Sequence, residues 1–195
     1  NALFVGDWAL GKIHAVQLTR SGGSYTAKLT TILKGRPLNV TDMAVGPDGA
    51  LYFATGGRGT DGGVYRLKWK GTVPAESLNM GTGIQQALRQ PQFQSDWSRR
   101  KIARVQKQLG DQWGPQLSRV LKDPRAKRSD RLRALDLLVF FGPAPTVDML
   151  IEMSRDRDPG LRAKVARLMG TQSDAEFSKP LAAMLRDPDA WVRRL

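Results

Sequence analysis

The chain repeats itself with two different periods, and the first repeat constrains the fold most. The segment ALFVGDWALGKIHAVQL at 2–18 returns as ALYFATGGRGTDGGVYRLKW at 50–69. Ala2 matches Ala50 at an offset of 48, while Ile13 matches Val64 and Val16 matches Leu67 at 51. Each copy holds an apolar strand-like run, a Gly-rich gap and a second run that starts from Gly. A β-rich repeat of about 50 residues is the signature of a propeller blade rather than of a small closed domain.

Residues 1–70 read as β throughout. Short runs rich in Val, Ile, Leu, Thr and aromatics occupy 3–6, 12–19, 25–33, 41–45, 51–55 and 64–69. Between them lie the turn clusters Ser21-Gly22-Gly23-Ser24, Gly46-Pro47-Asp48-Gly49 and Gly56-Gly57-Arg58-Gly59. In the second cluster Pro presets φ, Asp accepts a turn and Gly supplies positive φ, so Asp48 reads as a turn residue. Laid out as blades, 2–33 give the last three strands of one blade and 41–69 the first three of the next. The expected fold of this part is a partial β-propeller of under two blades. Its missing closing strand fits a last blade, which is often completed from the other end of a propeller to avoid an open edge.

Residues 71–94, with Gly, Pro, Gln and Ser and no steady period, read as a linker with room for one short helical turn. From Ser95 the period becomes helical. Apolar stripes run through Ile102, Val105 and Leu109, then Trp113, Leu117 and Leu121, then Leu132, Leu135 and Leu138/Val139. They continue through Val147, Leu150 and Ile151, Leu161, Val165 and Leu168, and Leu181, Met184 and Leu185. Gly110, Gly142 and Gly170 stand where helix C-caps belong, Thr146 can start a helix, and Ser173 with Glu176 has capping-box spacing. Leu132-Arg133-Ala134, Leu161-Arg162-Ala163 and Val192-Arg193-Arg194 recur at offsets of 29 and 31, each after an Asp-Pro at 123, 158 or 187. A repeat of about 30 residues built from two amphipathic helices is an α-solenoid, because a single pair cannot bury its own stripe. Asp-Pro then serves as a turn and preset helix start, and the Arg of each copy reads as structural, bonding within or between repeats. This pattern resembles repeats of the HEAT or PBS-lyase type. Residues 95–195 are therefore expected to form an α-α, HEAT-like solenoid.

Composition excludes several chemistries. No Cys is present, so disulfides, thiolate metal sites and covalent haem attachment are absent from this segment, and a single His leaves little for acid–base or metal chemistry. The net charge of +13 divides into +5 over 1–70 and +8 over 71–195, with basic and acidic residues interleaved. That reads better as solvated mixed-charge helix faces than as a nucleic-acid surface. No phosphate loop, nucleophile elbow or paired ligand motif is present, and His14 reads as a satisfied strand histidine. The chain starts without Met inside a strand-like run and stops inside a helical one, so both ends are expected to be truncated, and a missing leader or span says nothing of compartment.

In an up-and-down blade alternate loops share a rim. The loops 7–11, 34–41 and 56–62 would share one, and they supply the candidate ligand-face residues Asp7, Trp8, Arg36, Asn39, Arg58 and Asp61. No catalytic or metal-ligating residue is assigned.

With Leu3-Phe4-Val5-Gly6-Asp7-Trp8, Val40-Thr41-Asp42, Gly46-Pro47-Asp48-Gly49-Ala50-Leu51-Tyr52-Phe53 and Gly56-Gly57-Arg58-Gly59-Thr60 in view, residues 2–70 resemble the end of a glucose/sorbosone dehydrogenase-type propeller. The order propeller, linker, HEAT-like repeats resembles the large planctomycete and verrucomicrobial "membrane-bound dehydrogenase" proteins. The resemblance implies an exported or periplasmic protein that oxidises a sugar-like substrate and passes electrons to a haem c domain outside this segment. It also implies protein partners for the helical repeats. Related enzymes hold pyrroloquinoline quinone partly through two arginines and a lysine, which fall at Asn39, Thr41 and Ala9 here. Charge to clamp an anionic quinone is absent at all three positions, leaving only Arg36 and Arg58 in neighbouring loops. Two readings stay open: an oxidoreductase whose centre lies outside this segment, and a non-enzymatic interaction scaffold using propeller and HEAT surfaces. A basic solenoid on nucleic acid is a third, and it would bind with a steep salt dependence.

Overall fold

The structure, a computed structural model, describes residues 2–57, 59–172 and 174–195. Arg58 and the capping-box residue Ser173 lie outside the described residues. One compact unit runs to Pro74 and a second from Ala75 to Leu195.

The first unit is two antiparallel meanders. Strands β1 (Leu3–Asp7), β2 (Lys12–Ser21) and β3 (Ser24–Lys34) form one sheet, and β4 (Val40–Val45), β5 (Leu51–Gly57) and β6 (Thr60–Leu67) the other, each in sequence order. Register is set by the alternating apolar positions: Leu3 faces Val16, Val5 faces His14, Met43 faces Phe53 and Phe53 faces Tyr65. Neither sheet closes on itself. Ile13, Val40, Leu51 and Phe53 form the buried core, with Phe4, Leu33, Leu38, Met43, Val45 and Leu67 packed against it. The two sheets approach closely where Gly6 leaves room: a Cβ there would stand 3.0 Å from Val40 Cγ1.

The Pro-Asp-Gly turn forms as its chemistry requires. Gly49 sits at φ 74°, Ala50 N–H donates to Asp48 Oδ1 at 3.2 Å, and Tyr52 O–H donates to Asp48 Oδ2. The Ala50 N–H bond leads the causes that hold the Asp48 carboxyl below its ordinary value; slight desolvation opposes it, and Tyr52 and Arg66 add to it. The sixth strand departs from the reading at 64–69. It begins at Thr60, because Gly62 and Gly63 let it run against β5, and a Cβ at Gly62 would meet Thr55 O at 3.0 Å. Asp61 is therefore a strand residue and not a loop residue.

The second unit is helical: α1 (Ala75–Leu78), α2 (Ile84–Leu88), α3 (Asp96–Leu109), α4 (Trp113–Lys122), α5 (Arg128–Phe141), α6 (Val147–Met153), α7 (Pro159–Gly170), α8 (Ser178–Met184) and α9 (Ala190–Arg194). Part of the expected linker joins this core: Ala87 and Leu88 of α2 are buried with Ile102, Trp113, Leu117, Leu135 and Leu138. Helices α4–α5, α6–α7 and α8–α9 form successive pairs. Their second helices open at Arg128, Pro159 and Ala190, 31 residues apart each time.

Gly110 and Gly142 are helix C-caps at φ 50° and 72°, and Thr146 caps α6 by accepting from Met149 N–H. Gly170 is instead the last helical residue of α7, which ends on Thr171. Of the three Asp-Pro pairs only Asp158-Pro159 starts a helix, with Asp158 accepting from Gly160 and Leu161 N–H. Asp123-Pro124 turns before α5, and Asp189 rather than Asp187 caps α9. Leu185 falls off the buried stripe and is 70% exposed.

Candidate functional site

In the first unit the segments 7–11, 34–41 and 56–62 are hydrogen-bonded to one another through Trp8, Asn39 and Gly56. Trp8 Nε1 donates to Gly56 O at 3.3 Å, Asn39 Nδ2 donates to Trp8 O at 3.0 Å, and Gly56 N–H donates to Asn39 O. Asp7 accepts from Leu10 N–H and shapes its own turn. Trp8, Asn39 and Asp7 thus hold loop backbone in place. Arg36 is exposed and lines an open depression of about 250 Å³ with Ala9, Leu10, Gly11, Leu38 and Asn39. Asp61 belongs to β6 and is exposed, and Arg58 lies outside the described residues. His14 Nδ1 is paired with Thr31 Oγ1 at 3.1 Å, a satisfied strand contact. Among the described residues no three His, Asp or Glu side chains gather as a metal site.

The helical unit holds the larger cleft, about 440 Å³, along the second helices α5, α7 and α9. Its lining combines Val139 and Phe140 of α5, Lys164, Arg167 and Leu168 of α7, and Trp191 and Leu195 at the end. Apolar surface remains open: Val139 is 38% and Phe140 44% exposed. Lys164 is fixed by Asp136 at 2.5 Å and by Leu132 O, so its charge stands over the groove in one place. Beside it Arg133 stacks on Phe93, 4.3 Å from the ring centre, and donates to Gln90 O. Burial lowers its guanidinium from the ordinary value and Asp136 partly restores it; it stays charged at neutral pH. Sequence periodicity marked Val139 as a core position, but it is the edge of this groove.

A second arrangement runs through the turns between paired helices. Arg131 reaches Asp156 with Nη1 and Nη2, at 3.1 and 2.5 Å, and donates through Nε to Leu121 O. One repeat later, Arg162 grips Asp187 with Nε and Nη2, both at 2.7 Å, while its Nη1 holds Asp156 O and Arg157 O. In each case the arginine and the aspartate are 25 residues apart. Arg193 repeats the first half of this arrangement, its Nη1 holding Asp187 O and Pro188 O. Asp156 and Asp187 each also accept from the N–H two residues on, at 2.8 Å. The equivalent arginines are thus 131, 162 and 193. Arg133, which the Leu-Arg-Ala match placed in this series, faces Phe93 instead. The signal that identifies Arg131 is the helix-start spacing of 31, which outweighs local letter identity.

These contacts set the local electrostatics. The bond from Arg162 is the main reason the Asp187 carboxyl lies below its ordinary value; burial opposes it, and the Asp189 N–H and Arg193 assist. At Asp156 burial pushes upward, but the Arg131 bond, the Asp158 N–H and the charges of Arg131 and Arg157 outweigh it. The bond to Asp187 in turn raises Arg162, against a desolvation cost.

Among known sequence families, the profile of HEAT repeats matches residues 114–195. No curated protein and no solved structure matches the chain. HEAT repeats commonly mediate protein interactions, and among the described residues no helix is long and apolar enough to cross a membrane. The stretch from α4 through α9 carries HEAT repeats, laid down as helix pairs at a 31-residue step.

Proposed function

We propose that this chain is a protein-interaction scaffold whose helical part receives an acidic polypeptide segment with an apolar anchor. The observation that carries the reading is the groove along α5, α7 and α9. It has an apolar floor at Val139, Phe140 and Leu168 and cationic side chains at Lys164 and Arg167. Asp136 also lines the groove but is committed to Lys164, so Arg167 is the cation beside the apolar patch with no ion pair among the described residues. A docking segment that joins an apolar anchor to a carboxylate matches that pairing. We read the two β meanders as consecutive blades of a propeller: each has three antiparallel strands in sequence order, and their rim loops are bonded to each other. A sugar-oxidising centre draws no support from that rim. Asn39 is committed to Trp8 O, Ala9 and Thr41 carry no charge, and Arg36 is the cation lining the depression.

The test is a peptide-display selection against the full chain, followed by affinity measurements on synthesised winners. Groove ligands should pair Asp or Glu with Leu, Phe or Trp. They should lose about tenfold in affinity on Arg167→Glu or Val139→Asp, in the range of an interface hot spot. Arg36→Glu, in the other unit, should leave them unchanged. Ligands indifferent to both groove substitutions would overturn the reading.

A further inference from the structure

Helix α3 carries a charge that the rest of the helical unit does not answer. Between Asp96 and Asp111 the chain places five basic side chains, Arg99, Arg100, Lys101, Arg104 and Lys107, and no acidic one. The helical period sorts the five. Ile102 and Val105 are buried in the core, and Arg99 lies over the Phe141 ring, 5.4 Å from its centre. Arg100, Arg104 and Lys107 are exposed on the opposite side, within about 60° of one another around the axis. Lys101 flanks them, its Nζ 5.3 Å from the centre of the Trp97 ring. The ion pairs of the helical unit all use cations from Lys122 onwards: Lys122–Glu152, Arg128–Asp158, Arg131–Asp156, Arg162–Asp187 and Lys164–Asp136. Among the described residues no ion pair reaches Arg100, Arg104 or Lys107. Arg100 and Arg104 stand four apart and Arg104 and Lys107 three apart, so the row repels itself along the helix.

We propose that the outer face of α3 binds the phosphate backbone of a nucleic-acid duplex without reading its sequence. The cations form a narrow line, flanked by Ala103 and Gln108 and closed at its ends by Asp96 and Asp111. From Arg100 to Lys107 the helix rises about 10 Å, and phosphates follow one another along a strand at about 3.4 Å of axial rise. Three cations therefore meet three successive phosphates of one strand, and Lys101, committed to Trp97, is not counted. Contacts of this kind fix position on the backbone and carry no sequence information. An anionic membrane is the poorer occupant. It presents a plane of charge, and α3 keeps its apolar stripe in the protein core, where an interfacial helix gives that stripe to the acyl chains. None of these side chains lines the groove along α5, α7 and α9, so either reading can fail without the other.

The test measures binding of the full chain to a fluorescein-labelled DNA duplex by anisotropy, from about 50 to about 200 mM salt. Three phosphate contacts give a log–log slope of about −2.7, so affinity should fall about fortyfold over that range. Arg100→Gln with Arg104→Gln should weaken binding at the lower salt by at least about tenfold and flatten the slope to about −0.9. Lys107→Gln alone should bring it to about −1.8. The same loss of charge in the α4–α5 turn, Arg125→Gln with Lys127→Gln, should leave the parent slope in place; both residues are exposed. Gln is as good a helix former as Arg or Lys, so relief of the repulsion should hold the melting midpoint or raise it by about 1–3 °C. A slope that follows the turn pair and not the α3 pair would assign binding to net charge and overturn the proposal. So would no binding at the lower salt, or loss on α3 substitution of binding to phosphatidylserine vesicles but not to the duplex.

Discussion

Arg162 concentrates several roles in one side chain: it neutralises Asp187, holds its own turn through Asp156 O and Arg157 O, and joins two repeats. Removing it strands a carboxylate that is 8% exposed, so Arg162→Ala should cost about 3 kcal/mol. The acid dependence follows from the same contacts. Asp156 and Asp187 hold protons more weakly folded than unfolded, so their contribution is whole above about pH 4 and is lost as pH falls through the depressed folded values. Helical urea midpoints measured from pH 7 down to about 3 should therefore fall steeply at the acid end. Asp187→Asn should lower the neutral value and flatten that limb; an unchanged limb would contradict the assignment. That an arginine recurs structurally was legible in the sequence, but not which one. Leu-Arg-Ala at 132 and 161 matches by letter, whereas the packing equivalence follows the helix starts and selects Arg131.

Two glycines that look alike in sequence test the helix ends against each other. Gly142 sits at φ 72° and ψ 172°, a region essentially confined to glycine, while Gly170 is helical. A Cβ would meet nothing within 4 Å at either position, so backbone conformation alone separates them. Gly142→Ala should destabilise the helical unit by about 1–3 kcal/mol, and Gly170→Ala should be neutral or stabilising by up to about 1 kcal/mol. Thermal melts of the two variants decide it. Periodicity identified the long helices because Ile102, Leu117, Leu135 and Leu161 each belong to an apolar stripe of helical spacing within their own helix, and all four are buried. It assigned α2 to a linker because Ala87 and Leu88 are too short a run to show a period, although long-range packing buries them. In the same way, Asp61 looked like a loop residue because it stands between the Gly56-Gly57-Arg58-Gly59 cluster and the apolar run from Val64, whereas Gly62 lets β6 lie close against Thr55 of β5 and start at Thr60.

At the scale of the whole chain, the two units differ in how much they bury. The helical unit encloses a continuous core from Ala87 to Phe177, while the β unit buries few side chains and leaves Leu29 61%, Val64 78% and Trp69 74% exposed. Residues 75–195 should fold alone with the helical melting midpoint of the full chain. Residues 2–74 alone should associate through their open strands and apolar faces. Sedimentation and circular dichroism on the two pieces check both; a stable monomeric β piece would count against the blade reading. The meander order was readable from the near-50-residue spacing, but the bonding of Trp8 and Asn39 to distant loop backbone was not, since no local pattern announces it.

The arginine series also gives the helical stack a direction. The α6–α7 pair is tied on both sides, by Arg131 and Arg128 from one neighbour and through Arg162 to the other. The α8–α9 pair is held to α6–α7 by the Arg162–Asp187 fork. The Arg131 and Arg162 ties each reach forward to an aspartate 25 residues later, so losing one fork loosens the pair that follows it, like one tooth of a zipper giving way to the next.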